Sequence, residues 1–154
     1  MRPSRAVALV ALAGAAAYNP KSGSTPATVG QGTAAHYDDR IFAGGVPPAV
    51  IGTPPSVNPV AGDSVSAREG GAMFVAMNCD GCHGGGATGW VGPSLTDGRW
   101  RYGGSDAEVF LSIYYGRPKG MPAFGGMLPA NVVWKLVAYL KSQPPPKDVP
   151  TESW

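Results

Sequence analysis

The sequence holds two cysteines and two histidines, and three of these four residues fall within one five-residue run, Cys79-Asp80-Gly81-Cys82-His83. This is C-x-x-C-H, the spacing that attaches c-type haem. Two thiols set three positions apart add across the two vinyl groups of one porphyrin. The next residue then brings its imidazole under the iron as an axial ligand. Other chemistries fit the run less completely. Two cysteines in an exported chain ordinarily make one disulfide. A thioredoxin-type C-x-x-C needs no adjacent histidine and sits in a βαβ setting, which is missing here. Zinc needs at least one more Cys or His, and the other histidine, His36, lies in a loose N-terminal stretch. The motif occurs once, which implies one haem c.

The elements that must position this run are legible as helices. Ser66-Ala67-Arg68-Glu69 has the S-x-x-E form of a capping box and predicts a helix start. Met73, Phe74 and Met77 follow at helical spacing and lead directly into Cys79. A second box, Ser105-Asp106-Ala107-Glu108, opens Val109 to Tyr114, with Gly116 as the stop. A third helix is predicted from about Pro129, with Val133, Leu136, Val137 and Leu140 on one stripe. The fold class is all-α: three main short helices packed around one covalent haem. Three helices of this size cannot bury a large core unaided, and a bonded porphyrin supplies the missing apolar centre.

The remainder of the chain reads differently. Gly and Pro make up about a quarter of the 154 residues, well above ordinary usage. Arg2 and Arg5 precede the Ala-rich stretch Ala6 to Ala13 and an A-x-A site ending at Ala17, the layout of a secretory signal over residues 1–17. Residues 18–64 contain seven Pro and seven Gly and predict a long extended linker or strap. Its aromatic and apolar cluster, His36-Tyr37 with Ile41-Phe42, is placed either to lie against the folded part, to fasten a partner, or simply to ride in a solvated tether. Residues 65–143 hold the helices, and residues 144–154, beginning Pro144-Pro145-Pro146, form an extended tail. A formal charge of +2 excludes a nucleic-acid binder that reads phosphates by charge. Without Arg2 and Arg5 the ten remaining basic residues balance ten acidic ones. No apolar run reaches the ~20 residues of a membrane-spanning helix, so no transmembrane span is expected once the signal is cut, and the mature protein is expected in the periplasm.

Taken together, residues 65–141 resemble the class I c-type cytochromes, the monohaem bacterial periplasmic type. The resemblance implies that the helix before C-x-x-C-H crosses the last helix, with Gly70 or Gly71 and Phe74 meeting Trp134 or Tyr139. Gly92-Pro93-Ser94-Leu95 is similar to the family's Gly-Pro-x-Leu segment, which implies that the Pro93 carbonyl accepts the His83 ring N–H. Four methionines remain for the sixth iron position. Met73 and Met77 belong to a helix, whereas Met121 stands in Gly120-Met121-Pro122, similar to the family's distal-ligand loop. Met127, His36 or an open position are the alternatives. The resemblance therefore implies metal ligation by His83 and Met121.

Asp97-Gly98-Arg99-Trp100-Arg101-Tyr102 alternates basic and aromatic residues. Arg99, Trp100, Arg101 and Tyr102 are read as hydrogen-bond donors to haem propionates, or else as solvated loop residues. Arg117 and Lys119 are read as a docking patch for an acidic partner. Two filled axial positions leave no room for substrate, so the expected role is an electron carrier rather than an enzyme, with no catalytic residues. Its expected partners are redox proteins: a dehydrogenase, an oxidase or a quinol-oxidising complex. The other reading is a fixed electron-entry subunit of a respiratory oxidase or a quinone-cofactor dehydrogenase. A peroxidase would need an acid–base residue on the distal side, and no histidine follows His83.

Overall fold

The computed structural model describes residues 40–145. The signal segment, His36, Tyr37 and most of the C-terminal tail lie outside the described residues. Four helices follow in order: α1 (Ser64–Ala76), α2 (Asp80–His83), α3 (Asp106–Tyr115) and α4 (Ala130–Ser142). Single 3₁₀ turns occupy Ala43–Gly45 and Gly85–Ala87. Among the described residues there is no sheet, only two isolated bridges, Phe42 with Ala123 and Arg117 with Met121. The all-α expectation holds, with the attachment motif itself forming the fourth, one-turn helix.

α1 starts earlier than its S-x-x-E signal predicts. Asp63 is the cap: its carboxylate accepts from the Val65 and Ser66 backbone N–H groups at 3.0 and 3.2 Å. Ser66 sits inside the first turn and donates its hydroxyl to the same carboxylate at 2.6 Å. With Asp63 accepting those N–H groups the chain is already helical when it reaches Ser66, which therefore lies inside the helix rather than at its cap. α3 begins as its capping box requires, with Glu108 N–H donating to Ser105 Oγ and Ser105 N–H to the Glu108 carboxylate, and Gly116 ends it. Pro129, the expected start, stands just outside α4 as its cap, one position before the observed start at Ala130, and the stripe Val133, Leu136, Val137 and Leu140 is buried.

α1 and α4 make the tightest helix crossing, and Gly70 is the reason. A Cβ at Gly70 would lie 1.9 Å from the Lys135 carbonyl oxygen of α4, so only glycine lets the backbones approach this closely. Phe74 meets Tyr139, with ring centroids 5.3 Å apart. Trp134 turns the other way, stacking on Phe110 of α3 at 4.4 Å. Of the two aromatic partners the resemblance offered to α1, Tyr139 takes the contact, while Trp134 ties α4 to α3. Offset aromatic pairs of this kind add about 0.5–1.5 kcal/mol beyond their burial.

Residues 40–63 lie along the helices. Asn58 is buried, donating its side-chain amide to the Trp134 carbonyl at 2.9 Å and its backbone N–H to Asp106 at 3.0 Å. Ile51 N–H donates to the Tyr115 hydroxyl at 2.9 Å. Over its described part this stretch lies on the helices, its backbone N–H groups bonding to α3 and the Asn58 side chain to α4.

Candidate functional site

The attachment run is delivered by the way α1 stops. Asn78 takes a left-handed φ of +56°. Its N–H donates to the Val75 carbonyl, and Cys79 N–H to the Phe74 carbonyl, both at 2.9 Å. These two bonds make a Schellman closure with asparagine in the left-handed position. Cys79 follows immediately, and His83 N–H bonds back to the Cys79 carbonyl at 2.9 Å, winding the motif into α2. The two thiols are free rather than joined in a disulfide. Burial, reinforced by the neighbouring Asp80 carboxylate, pushes the Cys79 thiol up to about 11. Such a thiol stays protonated at neutral pH, which does not suit thiolate exchange.

His83 is held from one side by the following loop. Its Nδ1 lies 2.9 Å from the Pro93 carbonyl oxygen. A carbonyl only accepts, so Nδ1 carries the proton and Nε2 keeps its lone pair for a metal. Burial lowers the affinity of the ring for a second proton, the Pro93 bond opposing this in part. The loop reaches the ring because residue 92 is glycine: a Cβ there would sit 3.0 Å from the imidazole. Gly89 N–H to the His83 carbonyl and Gly92 N–H to the Cys82 carbonyl, both 2.7 Å, fasten the same turn.

His83 opens onto a cavity of about 880 Å³, at the upper end of the range for cofactor sites. Pro93, Arg99, Trp100, Arg101, Tyr102 and Met121 line it as well. The structure thus brings seven of the nine sequence-derived site residues to one cavity, with Cys79 and Cys82 on the adjoining turn. Met127 is not among the lining residues; it is 45% exposed, and its Sδ lies against Gly44. Met73 and Met77 pack on the core. Among the described residues, no group of three or more His, Cys, Asp or Glu is placed to hold a bare metal ion. A neutral imidazole and a thioether facing one large cavity, with two free thiols beside it, are donors that suit haem iron.

Residues 65–140 match the family model described as cytochrome c oxidase, cbb3-type, subunit III. This segment is a c-type cytochrome domain. It is 37% identical over 82 residues to the cbb3-type cytochrome c oxidase subunit FixP of Rhizobium meliloti (strain 1021), covering 47% of this chain and 28% of that protein. Against subunit CcoP of Rhodobacter capsulatus it is 46% identical over 65 residues, 40% of this chain and 22% of the relative. The chain therefore spans 22–28% of the length of these two curated relatives. Among solved structures, cytochrome cL from Methylophaga aminisulfidivorans MPT superposes with a TM-score of 0.53 at 28% identity, over 56% of this chain and 58% of that one. A cytochrome c domain implies covalently held haem c, and Cys79 and Cys82 have the spacing for it.

Three wall residues of this cytochrome domain carry more than their sequence context indicates. Arg117 donates to Ser112 Oγ from Nε at 3.0 Å and from Nη2 at 2.6 Å, and its guanidinium lies 4.3 Å from the Tyr102 ring centroid. It is braced on α3 and lines the cavity, rather than standing free as a docking charge. Only the i, i+5 spacing of Ser112 and Arg117 hinted at this. Trp90 is 74% exposed at the cavity mouth, beside an equally open Val91. No periodic signal marks a lone Trp in a Gly-rich loop.

Proposed function

We propose that the domain is a one-electron carrier of the periplasm, with one haem c attached to Cys79 and Cys82 and its iron held by His83 and Met121. The observation that carries this reading is the meeting of His83 and Met121 in one cavity, the imidazole already set in its metal-binding tautomer by Pro93. Bound there, haem supplies an Fe(III)/Fe(II) couple. The Pro93 carbonyl orients the imidazole and raises its basicity as a ligand. The Met121 thioether, a soft ligand, favours the reduced metal and so a high potential. Leu95, Val109, Ile113 and Leu140 give part of the cavity an apolar lining that suits a porphyrin. Arg99, Arg101 and the braced Arg117, with Trp100 and Tyr102, supply donors for the propionates. With His83 and Met121 both holding the iron, the haem would keep no open position for a substrate, which suits a carrier rather than an enzyme.

The electron donor in this reading is a dehydrogenase or a quinol-oxidising complex, and a terminal acceptor completes the path. A second reading, a fixed electron-entry subunit of an oxidase, is favoured by the names of the cbb3-type relatives. Among the described residues no helix is long and apolar enough to cross a membrane. Mass spectrometry of the exported protein tests the assignment. The expected mature chain begins at Tyr18 and carries one haem that resists acid–organic extraction. Extractable haem on the unmutated protein, or an intact Met1 on the haem-loaded chain, contradicts it. Recovery solely within a membrane oxidase complex would favour the subunit reading.

A further inference from the structure

The loop that bears Met121 runs from the end of α3 to Ala123, and its own bonds only close it on itself. Arg117 N–H donates to the Met121 carbonyl at 2.9 Å, pinching the loop at its base. Its exit is tied to α3 by Phe124 N–H to the Ile113 carbonyl and Gly125 N–H to the Tyr114 carbonyl. Between these two ties, at Ala123, the partner comes from 80 residues upstream. Ala43 N–H donates to the Ala123 carbonyl at 2.9 Å, and Ala123 N–H to the Ile41 carbonyl at 2.7 Å. Ala123 is fully buried beneath this pairing. At the loop's entrance, Arg40 Nη1 donates to the carbonyls of Tyr115 at 2.6 Å and Gly116 at 3.2 Å. Those carbonyls end α3, where a cation is favoured.

We infer that Arg40 and the Ile41–Ala43 backbone are positioning elements for Met121, clamping both ends of its loop so that the thioether stays at the iron. The inference rests on Met121 as the distal ligand. Two features separate a clamp from general packing. Ile41 is exposed, and Ala43 is not part of the buried core formed by α1, α3 and α4. The hydrogen bonds of its backbone and of Arg40 land within two residues of Met121 or at the base of its loop. A hydrogen bond worth about one order of magnitude in an equilibrium constant should appear directly in how readily the loop lets go of the metal.

The test uses the matured, haem-loaded protein and reads two quantities, the weak red absorption band of thioether-bound ferric iron and the affinity of the ferric protein for added imidazole. Ala43→Pro deletes one donor at a site made for it, since Phe42 is extended (φ −103°, ψ 120°), as a residue before proline must be. Arg40→Gln removes the guanidinium, and Arg40→Lys returns a cation with donors. The expected result is an imidazole affinity about tenfold higher in Ala43→Pro and Arg40→Gln, with a weakened band, and recovery in Arg40→Lys. If both variants melt earlier yet keep the band and the imidazole affinity of the parent, the segment is merely structural and the inference is overturned. Should Ala43→Pro not fold, the Arg40 pair decides alone. Met121→Ala is measured alongside. Loss of its band with intact bands in the clamp variants overturns the clamp but not the ligand, whereas a band that survives Met121→Ala overturns both.

Discussion

The two sides of the cavity are built in opposite ways. The His83 side is assembled from neighbours: the Schellman closure at Asn78, the one-turn helix α2, and a loop that returns to the ring from Pro93, ten residues on. The Met121 side has local ties to α3 as well, but adds strangers to them. Its loop is also held by Arg40, Ile41 and Ala43, across 75–82 residues of sequence. A ligand fixed by short-range bonds keeps its tautomer and orientation through local geometry. A ligand fixed by long-range bonds depends on the whole chain being in place, and it is the one that can be loosened without dismantling the fold.

The sharpest way to break this comparison is to attack the support that the His83 side does borrow from afar. α1 can present Cys79 only while it lies tightly on α4. Gly70→Val places side-chain atoms where the Lys135 carbonyl already stands, and overpacking against backbone is expected to cost about 3 kcal/mol. Thermal unfolding of the haem-loaded protein measures it. A loss below about 1 kcal/mol would mean that the crossing relaxes easily and the His83 side is even more local than described.

The two regions also differ in the caps that start their helices, and here the expected effect is smaller. Asp63 opens α1; the Ser66 hydroxyl first, then the Val65 and Ser66 N–H groups, hold its carboxyl below the ordinary carboxylate range. Glu108 opens α3, held low by the Ser105 hydroxyl and N–H. A folded-state value below the unfolded one stabilises the protein above the unfolded value, about pH 4, and that stabilisation is lost as pH falls through the folded value. Melting temperature should therefore drop on acidification below about pH 4, and less steeply in an Asp63→Asn, Glu108→Gln double variant. Parallel acid profiles in parent and variant would show that neither cap contributes.

How much was readable in advance follows the same division. C-x-x-C-H, the Ser105 capping box, the α4 stripe and the Gly92-Pro93 turn are short-range patterns, and each has its expected local geometry in the structure. α1 starts three residues before its S-x-x-E signal because Asp63 already caps the Val65 and Ser66 N–H groups, which leaves Ser66 inside the helix. The contacts of residues 40–63 were invisible for another reason. Backbone N–H and C=O groups are the same at every position, so a Pro/Gly-rich segment gives no side-chain signal of where its hydrogen bonds will land. The contacts of Arg117 give no sequence signal either, since its partners, Ser112 and Tyr102, are set by the turn at the end of α3 and by the path of the 97–104 loop.

The central claim is that Met121 and His83 together hold the iron of an electron carrier, and one pair of variants tests it most directly. The unmutated ferric protein should be low-spin, show the weak red band, and when reduced bind carbon monoxide slowly or not at all. Met121→Ala should abolish the band, lower the reduction potential and open the iron to carbon monoxide, while Met127→Ala, altering a half-exposed side chain against Gly44, should leave all three nearly unchanged. Loss of the band in Met127→Ala with its survival in Met121→Ala would contradict the ligand assignment, and a high-spin unmutated iron that takes carbon monoxide freely would contradict the carrier itself.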